Sequence, residues 1–193
     1  INDVVRIYDI WNVKAKLDEN FINEDDFILA DQEIFSILDI PLLLGKKNKL
    51  FETSSTLVIS DIISNKYFPN ENPIGKTLEV SISGRIVHFT ITGVFRHFQS
   101  YSSLQANWIG NIEESFPLMA NISDPFQKIP EKELSQLKQN WEKRGFQTIV
   151  LATSQLDIKE AENLSTNIYK GRSKKDHKIT LQPFGEMYLH SEN

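Results

Sequence analysis

The stretch KYFPNENPIGKTLEV, Lys66 to Val80, decides how this sequence is read. It contains Gly75-Lys76-Thr77, the tail of the phosphate-binding pattern G-x-x-x-x-G-K-S/T. That pattern works only between a strand and a helix N-terminus, where backbone N–H groups and the helix dipole converge on an anion. Here Asn70 stands where the first glycine belongs, and the flanks are reversed. ISDIISNKYF ahead of the stretch has helical spacing, with Ser60 as cap and Ile63 and Tyr67 four apart. KTLEVSI after it alternates as a strand does. No helix start remains to hold a phosphate, so the stretch reads as a helix-to-strand connection rich in Pro, Asn and Gly.

Downstream, TLEVSI, a Ser83-Gly84 turn and RIVHFTITGVF predict a hairpin, with Val87, Phe89 and Ile91 alternating against His88, Thr90 and Thr92. Gly93 within the run predicts a bulge or a close backbone approach. FRHFQSYSSLQANWIGNI leads into an aromatic strand, and SFPLMANISDPFQKIP reads as irregular with three prolines. Upstream, VVRIYDIWNV and DDFILAD predict strands, QEIFSILDI a helix ended by Pro41, and STLVIS a buried strand. IPEKELSQLKQNWEKRG predicts a helix with Pro130 at its start, Leu134, Leu137 and Trp141 on one face, and Gly145 as its stop. FQTIVLAT is a strand. DIKEAENLSTNIYKG is a helix with an Asp157–Glu160 capping box, Ile158, Ala161, Leu164 and Ile168 on the buried side, and Gly171 as C-cap. KITLQPFGEMYLH closes the chain as a strand, so the end reads as a βαβ or split-βαβ unit.

The 193 residues are 40% hydrophobic and 24% charged, an ordinary globular composition. A formal charge of −5 argues against a nucleic-acid partner, which requires a basic face. The absence of cysteine excludes disulfides, thiolate metal sites and a cysteine nucleophile. No apolar run approaches the roughly 20 residues of a membrane span, the longest candidate being DIPLLLG. With no initiator methionine and no signal peptide, the chain is expected to be an excised segment of a longer protein.

Chemistry-bearing patterns are sparse. His88, His97, His177 and His190 never take metal-ligand spacing, and no nucleophile elbow is present, so neither a metal nor a cofactor is expected. Asp25-Asp26 and Glu113-Glu114 read as solvated turn carboxylates, and Trp11, Trp108 and Trp141 as packing residues. GRSKKDHK, Gly171 to Lys178, is the one basic cluster, most simply a solvated loop. An enzyme is poorly supported, and composition and spacing alone give a two-lobed α+β binding or interaction module.

Four blocks in order, ADQEIFSILDIPLLLG, TLVISDIISNKYFPNENPIGKTLEV, VHFTITGVFRHFQSYSSLQ and LQPFGEMYLHSE, resemble the extracytoplasmic core domain of ABC-transporter permeases of the MacB/FtsX type, in its Bacteroidetes version. The family runs F-x-x-F-x-x-P-L-L-x-G, V-V-I-S, K-Y-F-G-x-E-N-P-I-G-K, F-T-V-T-G-V-F and L-Q-P-L-x-x-I-H-L-H-S. Phe35, Pro41, Gly45, Ser60, Tyr67, Phe68, Asn72, Pro73, Gly75, Lys76, Gly93, Leu181, Pro183, His190 and Ser191 fall on that pattern. Ile34 and Asp39 depart from its aromatic-rich spacing, and Pro69 stands where Gly is frequent, stiffening the connection.

The resemblance implies two lobes: residues 1–12 and 141–193 as a porter-like split βαβ lobe lacking the family's first strand and helix, and residues 13–140 as an inserted, strand-rich, sabre-like lobe. Asn72, Pro73, Gly75, Lys76 and Gly93 then have structural roles. The implied function is non-catalytic: an inner-membrane permease domain in the periplasm, coupling ATP hydrolysis by a cytoplasmic ATPase subunit or domain to export. The alternative is an FtsX-like docking or sensing module that activates a cell-wall hydrolase or senses a peptide. Implied partners are the ATPase, a second permease copy and a periplasmic or outer-membrane protein. Arg172, Lys174, Lys175 and Lys178 would lie at the membrane-distal end, as partner contacts.

Overall fold

The computed structural model describes residues 3–98, 104–119, 129–140, 145–152, 156–173 and 177–183. VVRIYDIWNV forms two strands, β1 (Asp3–Ile10) and β2 (Val13–Leu17), parted at Trp11 and Asn12. Asn12 takes φ 56°, a left-handed conformation that asparagine tolerates better than most residues. β2 pairs with β3 (Asn20–Glu24) in a hairpin that the sequence reading lacks, although V-K-A-K-L alternates. The chain continues through β4 (Phe27–Ala30), α1 (Ile34–Ile37), β5 (Leu42–Gly45), β6 (Thr56–Ser60) and α2 (Asp61–Tyr67). It then forms β7 (Thr77–Ile82), β8 (Arg85–Phe95), β9 (Trp108–Asn111), α3 (Ser115–Met119), α4 (Glu131–Lys138), β10 (Phe146–Leu151) and α5 (Ile158–Arg172). The class is α+β.

The strands join in one mixed ten-stranded sheet of order β10-β1-β4-β9-β6-β8-β7-β2-β3, with β5 added beside β8. β4, β6 and β9 are buried along their whole lengths. This accounts for the unbroken apolar runs FILA in β4 and LVI in β6, since a strand covered on both faces has no polar alternation. Phe27, Leu29, Leu57, Ile59 and Trp108 pack on one face with Val80, Phe89 and Ile91. Ile28, Ala30, Val58 and Ile109 pack on the other with Ile34, Phe35, Ile40 and Leu50. Arg6 clips β1 to the end of β4, its Nε and Nη2 donating to Asp31 at 2.8 and 2.7 Å while its guanidinium lies over Phe116 and Phe146.

The central elements follow their sequence signals. The Ser60 hydroxyl accepts from Ile63 N and caps α2. The β7–β8 turn has Ser83 at φ 51° and Gly84 at φ 89°, both left-handed as a two-residue hairpin turn of the primed kind requires. Gly93 serves both expected purposes. The β6–β8 register skips a residue there, and a Cβ on it would stand 2.9 Å from Leu50 Cδ2 and from Val58 Cγ1.

Toward the C-terminus several expectations fail. SFPLMANISDPFQKIP is not irregular throughout: α3 includes Pro117, which is tolerated because N–H groups in a first helical turn lack intrahelical acceptors. α4 leaves Leu134 and Leu137 half-buried, and Trp141 lies outside the described residues. In α5 the buried residues are Ala161 and Tyr169, with Ser165 half-buried between them. Ile158, Leu164 and Ile168 instead remain 45%, 56% and 52% exposed. Residues spaced by four share a helix face, and the face that is covered is the one touching residues 177–183. Gly171 is not the C-cap; the helix runs on to Arg172 and ends at Ser173.

The expected closing strand is corrected as well. Residues 178–183 pair with no strand among the described residues; Ile179 N donates to Thr166 Oγ1 at 3.0 Å and Leu181 N to Glu162 Oε1 at 2.8 Å. His177, Ile179 and Leu181 are half-buried while Lys178, Thr180 and Gln182 are exposed. The alternation is real, but among the described residues its partner is a helix. GEMYLH lies beyond them.

Candidate functional site

The N-P-I-G-K turn is built almost wholly from backbone bonds. Asn72 Oδ1 accepts from Ile74 N at 3.1 Å, and Pro73 O accepts from Lys76 N at 3.0 Å. Gly75, at φ 82°, donates its N–H to Ile91 O at 2.8 Å, and Ile91 N donates to Lys76 O at 2.9 Å. The N–H groups of Ile74, Gly75 and Lys76 are therefore already engaged, and β7, not a helix, follows. Lys76 pairs with Glu71 and lies over the Phe68 ring, at the surface. The turn has none of the parts of an anion cradle.

Of the basic cluster, Arg172 lies in the last turn of α5, and Lys178 is exposed in the segment that folds back on that helix. Lys174 and Lys175 lie outside the described residues. The structure thus places the two ends of the cluster near α5.

Two side-chain groups depart from their sequence reading, and a third has no counterpart in it. Glu114 is buried and accepts from the Ser55 hydroxyl at 2.8 Å, so it is not a solvated turn carboxylate. Trp11 is 76% exposed at the β1–β2 corner, whereas Trp108 is fully buried between Phe27 and Tyr67. A corner residue outside both strand ladders has no layer to pack against, and strand patterning alone does not reveal that. Glu24, on the unforeseen hairpin, is buried, and its Oε1 accepts from the Tyr67 hydroxyl at 2.6 Å and from Lys66 Nζ. Burial, and next the hydrogen bond to this carboxylate, push the Tyr67 phenol far above its ordinary value.

Glu24 also lines a hollow of about 510 Å³ with Asp9, Trp11, Asp25 and Asp26. Asp26 is tied down there, its carbonyl accepting from Asn107 N at 2.8 Å. Of the histidines, His97 bonds Asn107 Oδ1 through Nδ1 at 3.0 Å, His177 lies tilted against the Tyr169 ring, and His88 is exposed; His190 lies outside the described residues. No group of metal-ligating side chains occurs among the described residues, and no helix there is long and apolar enough to cross a membrane.

At the sequence level neither a family model nor a curated protein matches the chain. Solved structures do match in fold. A domain of a protein designated a permease from Porphyromonas gingivalis superposes with a TM-score of 0.67 at 16% identity, over 97% of this chain and 82% of its own. The periplasmic region of MacB from Actinobacillus actinomycetemcomitans gives 0.53 at 17%, over 89% and 68%. The extracellular domain of the ABC-type transporter YknZ from Gram-positive bacteria gives 0.53 at 13%, over 92% and 80%. The chain therefore has the fold of the outer domains of MacB-type transporter permeases.

Proposed function

We propose that this chain is the extracytoplasmic, non-catalytic domain of an ABC-transporter permease held in the inner membrane, with the domain in the periplasm. The observation that carries the reading is that nearly the whole chain, and not merely one sheet motif, superposes on a domain of a permease protein and on the periplasmic region of MacB. The described residues are in keeping with a domain that transmits motion: a central sheet covered on both faces, and polar side chains engaged in bracing elements. In this reading residues 13–140 are the inserted sabre-like lobe, and residues 1–12 with 141–193 the porter-like lobe.

The domain couples nucleotide-driven movement of membrane helices to export or to a partner outside the membrane. Such coupling requires two states that ATP binding and hydrolysis stabilise unequally. Its partners are a cytoplasmic ATPase subunit or domain, a second permease copy and an envelope protein; nucleic acid is not among them. Affinity purification of the full-length parent from solubilised membranes tests the proposal. An ABC-type ATPase is expected to copurify or to be fused, with ATP hydrolysis that responds to an antibody fragment clamping this domain. Recovery of the parent in the soluble cytosolic fraction, or without ATPase activity, overturns it.

A further inference from the structure

The outer flank of β8 changes neighbours along its length. β7 covers Arg85 to Thr90 and β5 covers Gly93 to Phe95, so neither strand flanks Ile91 and Thr92. A groove of about 430 Å³ opens at this change, with Thr90, Ile91 and Thr92 as its floor. One wall is Gly45 with Lys46 and Lys49; the other is Ile74 and Gly75 of the N-P-I-G-K turn. Gly45 seats this wall against the floor: a Cβ on it would stand 2.6 Å from Thr92 O.

The floor's polar groups are largely satisfied from within. Gly75 N and Lys76 O take both backbone groups of Ile91, and the Thr92 hydroxyl donates to Leu50 O at 2.7 Å. A ligand there meets a mainly apolar surface that includes the exposed side chain of Ile74. The other edge of β5 pairs with no strand among the described residues.

The rim is cationic in a chain whose net charge is −5. Lys46 has no partner among the described residues. Lys49 faces Glu52 at 3.8 Å with both side chains well exposed, a pairing that water weakens. Lysines beside an open strand edge guard against unwanted pairing, which accounts for the charge. It does not account for the hollow between Gly45 and Ile74, or for an exposed isoleucine on the wall opposite the lysines. An apolar slot with a cationic rim complements an extended segment that carries apolar and carboxylate side chains.

We infer that this groove docks an extended, acidic and apolar segment of a partner protein, with an apolar side chain between Gly45 and Ile74 and carboxylates at Lys46 and Lys49. The inference deepens the proposed function by giving the envelope partner its chemistry. Binding of a probe to the isolated chain succeeds or fails independently of ATPase association, so failure of one reading is distinguishable from failure of the other.

The test titrates the 193-residue chain with a labelled synthetic hexapeptide of alternating aspartate and leucine, followed by anisotropy and by backbone amide shifts. Saturable binding is expected, with shifts concentrated at Gly45, Lys46, Lys49, Gly75 and Thr90. Lys46→Glu with Lys49→Glu, both at exposed positions, is expected to weaken binding at least tenfold with the remaining spectrum unchanged. Ile74→Ala is expected to weaken it severalfold. Absence of saturation at millimolar peptide overturns the inference, as does equal binding of a lysine–leucine hexapeptide or unchanged affinity in the charge-reversed chain. Concentration-dependent shifts of the same amides without peptide make a second copy the occupant, and their appearance only with anionic vesicles makes it a membrane surface; either result overturns the inference.

Discussion

Phe27, Phe89 and Trp108 at the middle of the sheet are almost wholly removed from water, whereas Ile158, Leu164 and Ile168 on α5 remain exposed. Phe89, in its alternating strand, and the α5 residues are both regularly spaced apolar side chains, and both read as buried. The difference lies in the layers. β4, β6 and β9 are covered on both faces, so every residue finds a neighbour. Among the described residues, α5 is covered only along the Ala161–Tyr169 face, by residues 177–183. Periodicity shows that an element has an apolar face; whether that face is buried depends on a second layer elsewhere in the chain.

The contrast can be broken most directly by truncation. Phe89→Ala is expected to cost about 4 kcal/mol, the range for emptying a packed aromatic site, while Leu164→Ala changes stability by no more than about 0.5 kcal/mol. Urea unfolding of both variants checks this, and equal losses would remove the distinction. Glycine substitutions sharpen it through opposite signs. Gly93→Val drives side-chain atoms into Leu50 and Val58 and is expected to cost about 2–3 kcal/mol. Gly171→Ala, in a helix with open space around it, is expected to be neutral or to stabilise by up to about 0.5 kcal/mol.

The two capped helices give a smaller comparison. Ser60→Ala removes the α2 cap and the hydroxyl bond to Asn107, and is expected to lower global stability by about 1–2 kcal/mol. Asp157→Ala removes the corresponding cap of α5. Its expected effect is faster amide exchange in α5 with little movement of the global midpoint.

The last comparison concerns Tyr67, and its effect depends on pH. Its folded-state pKa lies above the unfolded value of about 10, so above that pH the unfolded chain binds fewer protons than the native one. The stability contributed by the protonated phenol is complete below about pH 10 and declines as pH rises further. Tyr67→Phe is expected to cost about 1 kcal/mol at neutral pH, through the lost hydrogen bond to Glu24, and to flatten the alkaline slope. Unfolding curves of both proteins at pH 8 to 11 read the difference.

What was legible in the sequence follows the same division. The Ser60 cap, the Ser83-Gly84 turn and the Gly93 bulge were readable because each is fixed by neighbours close in the chain or by a conformation that few residues adopt. Rejection of the phosphate site held for a local reason too, since a strand follows Lys76. The buried Glu114 and the Glu24–Tyr67–Lys66 group were not readable, because their partners lie 59 and more than 40 residues away. Even so, V-K-A-K-L alternation was a usable sign of the hairpin that carries Glu24. The groove at Gly45 and Ile74 was hidden for a similar reason: it exists only where β8 exchanges one neighbour for another.

The central claim, that this is the outer domain of a membrane permease, is tested most directly by topology. The chain contains no cysteine, so Trp11→Cys or Lys46→Cys in the full-length parent, with the unsubstituted parent as background, places one reporter thiol at an exposed position. Labelling with a membrane-impermeant maleimide is expected in cells whose outer membrane is opened and whose inner membrane is intact. Labelling only after the inner membrane is broken would place the domain in the cytoplasm and contradict the account.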